Sequence, residues 1–175
     1  GLAGTRLALA GDSAGAGLAL SALLALQARG QPRPVAAYLM SAWTDLSIAG
    51  ASYETRAAAD PIHQRAMLQA MARHYLDGAD PLDPLASPLH AGVPQLAALP
   101  PLLLQVGDRE TVLSDSEDFA QRVRDAGGQA DCQVWPGMIH VFQQFPDELP
   151  EAREAVAAGG RFLAQHLGLG GETPR

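Results

Sequence analysis

Leu7-Ala8-Leu9-Ala10-Gly11-Asp12-Ser13-Ala14-Gly15-Ala16-Gly17 is the stretch whose reading decides the fold. Residues 6–10 form a short apolar run closed by Gly11, the pattern of a buried strand. Residues 14–29 are rich in Ala and Leu, lack proline and stop at Gly30, which reads as a helix with a glycine at its end. Between them Ser13 has a glycine two residues before it and another two after. A chain that reverses so tightly puts the serine in a strained backbone conformation and lifts its hydroxyl above the sheet. A side chain at Gly11 or Gly15 is expected to collide with the neighbouring strand or helix. The Ala14 N–H opens the helix and is placed to donate to a developing oxyanion. A plain glycine-rich turn carrying a surface serine is the alternative, and the position between strand and helix favours a nucleophile.

The rest of the chain continues the alternation. Residues 35–40 read as a second strand after the breakers Pro32 and Pro34. Residues 50–60 are irregular. Ile62, Ala66, Met67, Ala70, Met71 and Tyr75 recur at helical spacing after Pro61, predicting a helix over 62–76. Residues 77–101 hold six prolines and little periodicity, and are expected to form a long ordered excursion. A third strand is predicted over 102–106. A helix over 114–126 has Ser114 and Glu117 at capping-box spacing. A fourth strand spans 130–134, and a closing helix spans 150–167 although Gly159-Gly160 interrupts its interior. This order predicts an α/β fold: part of a mostly parallel, doubly wound sheet of about four strands with flanking helices.

Composition narrows the chemistry. With 47% apolar and 18% charged residues over 175 positions, the chain can bury one real core. A formal charge of −7 argues against a nucleic-acid partner. All 12 basic residues are arginine. Gly11, Gly15 and Gly17 also fit the glycine turn of short-chain dehydrogenases, but those enzymes need a Tyr-x-x-x-Lys pair and a P-loop needs its lysine, so both nucleotide readings fail. Cys132 is the only cysteine, so no internal disulfide can form, and a reducing, cytoplasmic location is expected. No run is long and apolar enough for a membrane span. Asp77, Asp80 and Asp83 recur every third residue, yet they flank Gly78, Pro81 and Pro84 as turn formers do and match no calcium loop. No metal and no cofactor are expected.

A serine nucleophile needs a base, and the base needs an orienting acid. The order serine, acid, histidine, each beyond a strand of a parallel sheet, is one known solution. The third strand runs into Gly107-Asp108-Arg109-Glu110, and the fourth into Trp135-Pro136-Gly137-Met138-Ile139-His140. His140 is therefore the candidate base, with Asp108 and Glu110 the candidate acids. His63 and His74 fall on the predicted 62–76 helix, His90 in the proline-rich excursion and His166 at the end of the closing helix. Each is read as structural or exposed. Trp43, Tyr38, Trp135, Met138 and Phe142 flank strand ends, where they line either a substrate pocket or the core.

Several motifs resemble one family in order along the chain: Gly11-Asp12-Ser13-Ala14-Gly15, Thr44-Asp45-Leu46, Tyr75-Leu76-Asp77-Gly78, Asp83-Pro84-Leu85-Ala86-Ser87-Pro88, Val106-Gly107 through Asp115-Ser116, and Gly137-Met138-Ile139-His140. They are similar to the hormone-sensitive-lipase-like bacterial esterases, the α/β-hydrolase fold-3 group, over residues 6 to about 165. The resemblance implies an eight-stranded fold of which this chain supplies the last four strands, so residues 1–175 read as a partial α/β-hydrolase catalytic domain. It implies a carboxylesterase that acts on small-molecule, short-chain acyl esters without a cofactor, and a homodimer as in some relatives. Glu110 stands at the spacing from His140 at which relatives carry their acid, and a subgroup uses glutamate there. Asp108, two residues earlier, remains the alternative acid.

Two departures from the family pattern stand out. Ala16 replaces a third glycine, a helix-compatible change. The family's His-Gly-Gly-Gly loop, whose N–H groups supply further oxyanion donors, does not occur in these 175 residues. With no initiator Met and a strand predicted at once, the chain reads as a piece of something longer, with that loop, the cap and the N-terminal strands expected upstream. The first strand should then expose an unpaired edge. Other readings on this scaffold are a binding protein or pseudoenzyme, against which Ser13 and His140 argue, and a peptidase or acyltransferase with the same triad.

Overall fold

In the computed structural model, which describes residues 7–169, four parallel strands form one sheet in sequence order. They are β1 (Leu9–Asp12), β2 (Ala37–Met40), β3 (Leu102–Gly107) and β4 (Ala130–Trp135). The helices are α1 (Ala14–Ala28), α2 (Ser52–Thr55), α3 (Arg65–Leu76), α4 (Val93–Ala97), α5 (Leu113–Asp125) and α6 (Pro150–Leu167). Leu104 pairs with Leu39 on one side and Cys132 on the other, so every strand points the same way and their C-terminal ends share one rim.

The interior follows from β3, whose six residues are all buried. Beneath one face, Leu20, Leu23 and Leu24 of α1 meet Leu39, Leu102 and Leu104 of the sheet and Phe119 and Val123 of α5. Each fully buried side chain of this kind stabilises the fold by about 1.5–3 kcal/mol. The other face is closed by α6. Gly159 lets this helix approach the sheet, because a Cβ there would stand 2.4 Å from the Tyr38 ring. The glycine that weakened the sequence reading of α6 is thus the reason it docks. Buried Tyr38 donates to Gln105 Oε1 at 2.6 Å, and Gln105 Nε2 donates to the Ala155 carbonyl at 3.1 Å, tying sheet to helix. β1 pairs only with β2 among the described residues, and its residues alternate between half-buried and exposed, so it is the open edge that was expected.

Arg6, placed on the first strand, lies outside the described residues. Two local expectations are corrected. The predicted 62–76 helix begins at Arg65, because Asp60 Oδ1 takes the N–H groups of Ile62 and His63 and holds them in a turn. The Ser114–Glu117 capping box does not form. Ser114 N–H donates to Ser52 Oγ and Ser114 Oγ accepts from Ser52 N–H, so tertiary pairing replaces the local cap. Within the proline-rich excursion lie α4 and a short 3-10 turn, Pro88–His90.

Candidate active site

Ser13 sits between β1 and α1 with φ 51° and ψ −122°, a conformation that costs a non-glycine residue about 1–3 kcal/mol. Its surroundings over-determine it. Ser13 N–H donates to the Met40 carbonyl, and its own carbonyl accepts from Ala16, Gly17 and Trp43 N–H groups. A Cβ at Gly11 would lie 2.4 Å from the Gly15 carbonyl oxygen, and one at Gly17 would lie 2.5 Å from that of Trp43. Gly15 corrects the expectation of a collision on both sides of the serine: a Cβ there meets nothing within 4 Å among the described residues. Ala14, the first residue of α1, has an N–H with no acceptor inside the helix.

The second half of the site lies at the ends of β3 and β4. His140 Nδ1 is 2.8 Å from Glu110 Oε2, the histidine buried and the carboxylate wholly so. Glu110 Oε1 accepts from Ser41 Oγ at 2.8 Å and from Gly107 N–H at 2.5 Å, so both carboxylate oxygens have partners and the group is fixed in place. Gly107 is needed for the crossing of the histidine loop over β3, since a Cβ there would stand 2.2 Å from the Met138 carbonyl oxygen. The other imidazole nitrogen, His140 Nε2, is buried and has no hydrogen-bond partner among the described residues.

Asp108 does not join this pair. Its Oδ1 accepts from Gly137 N–H at 2.7 Å at the surface, and Gly137 turns with φ 75°. Two residues further along the chain, Glu110 points inward where Asp108 points out. Asp108 therefore shapes the turn that delivers the histidine, and Glu110 is the carboxylate that meets it.

The sequence reading missed Ser41. Directly after β2 and with φ 49°, it donates to Glu110 through Oγ, and that same Oγ accepts from Val141 N–H at 2.9 Å. Through its neighbour Met40, which holds Ser13 N–H, it links the elbow to the Glu110–His140 corner. The available signal was a small polar residue at the C-terminal end of the strand next to the elbow. His63, expected on the 62–76 helix, instead precedes α3. Its ring centroid lies 4.4 Å from that of His140 at an interplanar angle of 87°. The other histidines are as dull as expected: His74 Nδ1 lies 2.7 Å from the Ala70 carbonyl, His90 pairs with Asp45, and His166 packs on Phe162.

Beside the elbow, a mostly apolar cavity of about 250 Å³ is lined by Ala14, Leu18, Trp43, Leu46, Met71 and Tyr75, among others. Of the aromatic residues and Met138 considered for a pocket, Trp43 lines this one. Tyr38 lies under α6, and Trp135, Met138 and Phe142 pack in the cluster around Ala152 and Ala155. The wall behind Trp43 is polar and braced. Asp115 Oδ1 accepts from Thr44 and Asp45 N–H groups, and Asp45 accepts from Ser47 and Ala49 N–H groups and pairs with His90. Burial pushes the Asp115 carboxyl up to about 7, whereas hydrogen bonds to Asp45 outweigh its burial and hold that carboxyl below the usual range. Thr44-Asp45-Leu46, Ser87 and Asp115, quoted above as motifs, converge here, Leu46 N–H donating to Ser87 Oγ, to support the pocket wall. Half-buried Cys132 packs against the core, and burial pushes its thiol up to about 12. Among the described residues no group of His, Cys, Asp and Glu side chains could hold a metal ion, and no helix is long and apolar enough to cross a membrane. Asp80 and Asp83 instead accept from the N–H groups of Leu82 and Leu85, two residues on.

Comparison with known proteins agrees with this fold. A family model described as the α/β hydrolase fold matches residues 1–144. An acetyl-hydrolase of Streptomyces hygroscopicus is 46% identical over 165 residues, 94% of this chain and 54% of that protein. An esterase of Acinetobacter venetianus is 37% identical, covering 85% and 48%. Among solved structures, an esterase from the bacterial hormone-sensitive lipase family superposes with a TM-score of 0.90 at 44% identity, covering 94% of this chain and 54% of that one. An esterase/lipase from an uncultured bacterium gives 0.88 at 37% identity, with the same coverage. The chain spans about half the length of the curated relatives it matches. With its strand-turn-helix serine and its parallel sheet, the chain belongs to the α/β-hydrolase fold family, and the solved structures it resembles include an esterase of the bacterial hormone-sensitive lipase family.

Proposed function

We propose that the protein containing this chain is a serine carboxylesterase acting on short acyl esters, with Ser13 as nucleophile, His140 as base and Glu110 as the orienting acid. The observation that carries this reading is the buried Glu110–His140 hydrogen bond, which leaves Nε2 unpartnered on the sheet rim that also bears strained Ser13. Ser13 Oγ attacks the ester carbonyl as His140 Nε2 takes its proton. Glu110 keeps the imidazole in the tautomer with Nδ1–H and stabilises the imidazolium. Ala14 N–H donates to the tetrahedral oxyanion. His140 then protonates the leaving alcohol, and afterwards activates the water that releases the acid. The Trp43-lined cavity beside Ala14, of a size to take a short chain, supports an acyl subsite.

The domain is proposed to be shared. Further oxyanion donors, strands and a cap come from sequence beyond these 175 residues, a reading supported by the half-length coverage of the relatives. Each absent oxyanion donor costs on the order of 10²–10³ in rate. The test is hydrolysis of p-nitrophenyl butyrate by the longer protein, by its Ser13→Ala variant and by residues 1–175 alone. The expected outcome is turnover by the first and almost none by the others. Turnover that survives Ser13→Ala contradicts the assigned nucleophile, and robust turnover by the isolated chain contradicts the shared site.

A further inference from the structure

We propose that His63 is a positioning residue for His140, holding the imidazole in the plane from which Nε2 serves Ser13; the inference rests on the esterase reading above. Its covalent Cβ and the hydrogen bond from Nδ1 to Glu110 hold the His140 ring at two points, and the motion they do not restrain is rotation of the ring about the line joining them. A second contact is needed to fix the plane. His63 supplies it, its ring meeting that of His140 at 4.4 Å and 87°, the edge-to-face geometry of favourable ring pairs.

His63 is itself held from behind. Asp60 Oδ1 takes the N–H groups of Ile62 and His63, while Asp60 Oδ2 takes Thr111 N–H at 2.8 Å and Thr111 Oγ1 at 2.9 Å. Thr111 directly follows Glu110. One carboxylate thus joins the loop that carries His63 to the residue beside the acid, so both contacts on His140 are set from one anchor. Arg109 Nε donates to the Ala59 carbonyl on the same loop and adds a second tie. The neutral form of the His63 ring is also favoured: burial lowers its pKa, positive charge on His140 pushes the same way, and Asp60 opposes them more weakly. A neutral neighbour packs against the imidazolium without repelling it.

The experiment uses the longer protein with p-nitrophenyl butyrate. His63→Ala is expected to lower kcat about three- to tenfold with KM within about twofold, the size of one lost ring contact acting on orientation. His63→Phe, which keeps an aromatic edge without the polar atoms, is expected to restore kcat to within about twofold. Proton NMR supplies an activity-independent readout. The far-downfield resonance of a His Nδ1–H bound to a carboxylate should be sharp in the parent and His63→Phe, and broadened in His63→Ala. Unchanged kcat and an unchanged resonance in His63→Ala overturn the proposal, as does a loss confined to KM or a His63→Phe variant as impaired as His63→Ala. If His63→Ala does not fold, His63→Phe and the parent still decide: impaired kcat with a broadened resonance in His63→Phe overturns it, and parent-like values in both support it. His140→Ala separates the two readings, since full activity there removes His140 as the base of the proposed site, whereas loss there with no effect at His63 removes only this inference.

Discussion

The two ends of the sheet rim are built differently. At the Glu110–His140 corner every anchor lies within the chain: β3 is buried throughout, both Glu110 oxygens have donors, and Ser41 bonds Glu110 and the backbone beside His140. At the Ser13 elbow the backbone is equally well held, but β1 is an edge strand, its residues are at most half-buried, and Ala14 is exposed. In the proposed site the acid and base therefore have their anchors among the described residues, while Ala14 is the candidate oxyanion donor there. The difference teaches where this chain keeps its precision. The imidazole sits in a closed hydrogen-bonded network, and the elbow lies at an open edge.

That contrast can be broken most sharply at the acid. Glu110→Gln in the longer protein should lower kcat/KM by about 10³–10⁴, because the amide cannot hold the Nδ1–H tautomer or offset the imidazolium charge. Asp108→Asn should stay within about tenfold, since an amide oxygen still accepts from Gly137. Steady-state kinetics on both variants checks the assignment, and equal losses would mean that the outward carboxylate matters as much as the inward one.

Next in size comes the elbow. Gly11→Ala forces a Cβ against the Gly15 carbonyl at 2.4 Å and should cut kcat about 100-fold by displacing Ser13, with a lowered Tm. Gly15→Ala, with open space and a helical setting, should leave the Tm of the isolated chain unchanged or slightly raised. Thermal melts of the two variants sharpen the comparison, because a Gly15 defect seen only in the longer protein would show that absent elements close over this side.

A smaller effect than at Gly11 is expected at Ser41. Ser41→Ala removes one donor to Glu110 and the acceptor of Val141 N–H, which should cost about 1–3 kcal/mol in chemical unfolding. The loss in kcat should be about tenfold, since Gly107 N–H still holds Glu110.

The particular residues show what was legible beforehand and why. β2, β3, β4, α1 and α6 were readable because apolar runs and breakers report local propensity, and their observed limits differ from the reading by no more than two residues. The tight turn at Ser13 and the place of His140 beyond β4 were readable because strained turns and strand ends leave marks on the chain. The start of α3 was not, since Asp60 acts through a side chain that faces Thr111, 51 residues away. Ser114 looked like a cap because Glu117 is three residues on, but its partner is Ser52. Ser41 carries only the mark of a small polar residue at a strand end, and His63 carries no pattern of its own. Their roles exist only once β2, β3 and the His140 loop are side by side, and pairing across 69 or 77 residues leaves no periodic trace.

The central claim is that Ser13 is activated by His140. Labelling the longer protein with a fluorophosphonate and mapping the adduct by peptide mass spectrometry tests it most directly. A single adduct on Ser13, formed about 100-fold more slowly or worse in His140→Ala, is the expected result. An adduct on another residue, or an unchanged labelling rate without His140, would contradict it.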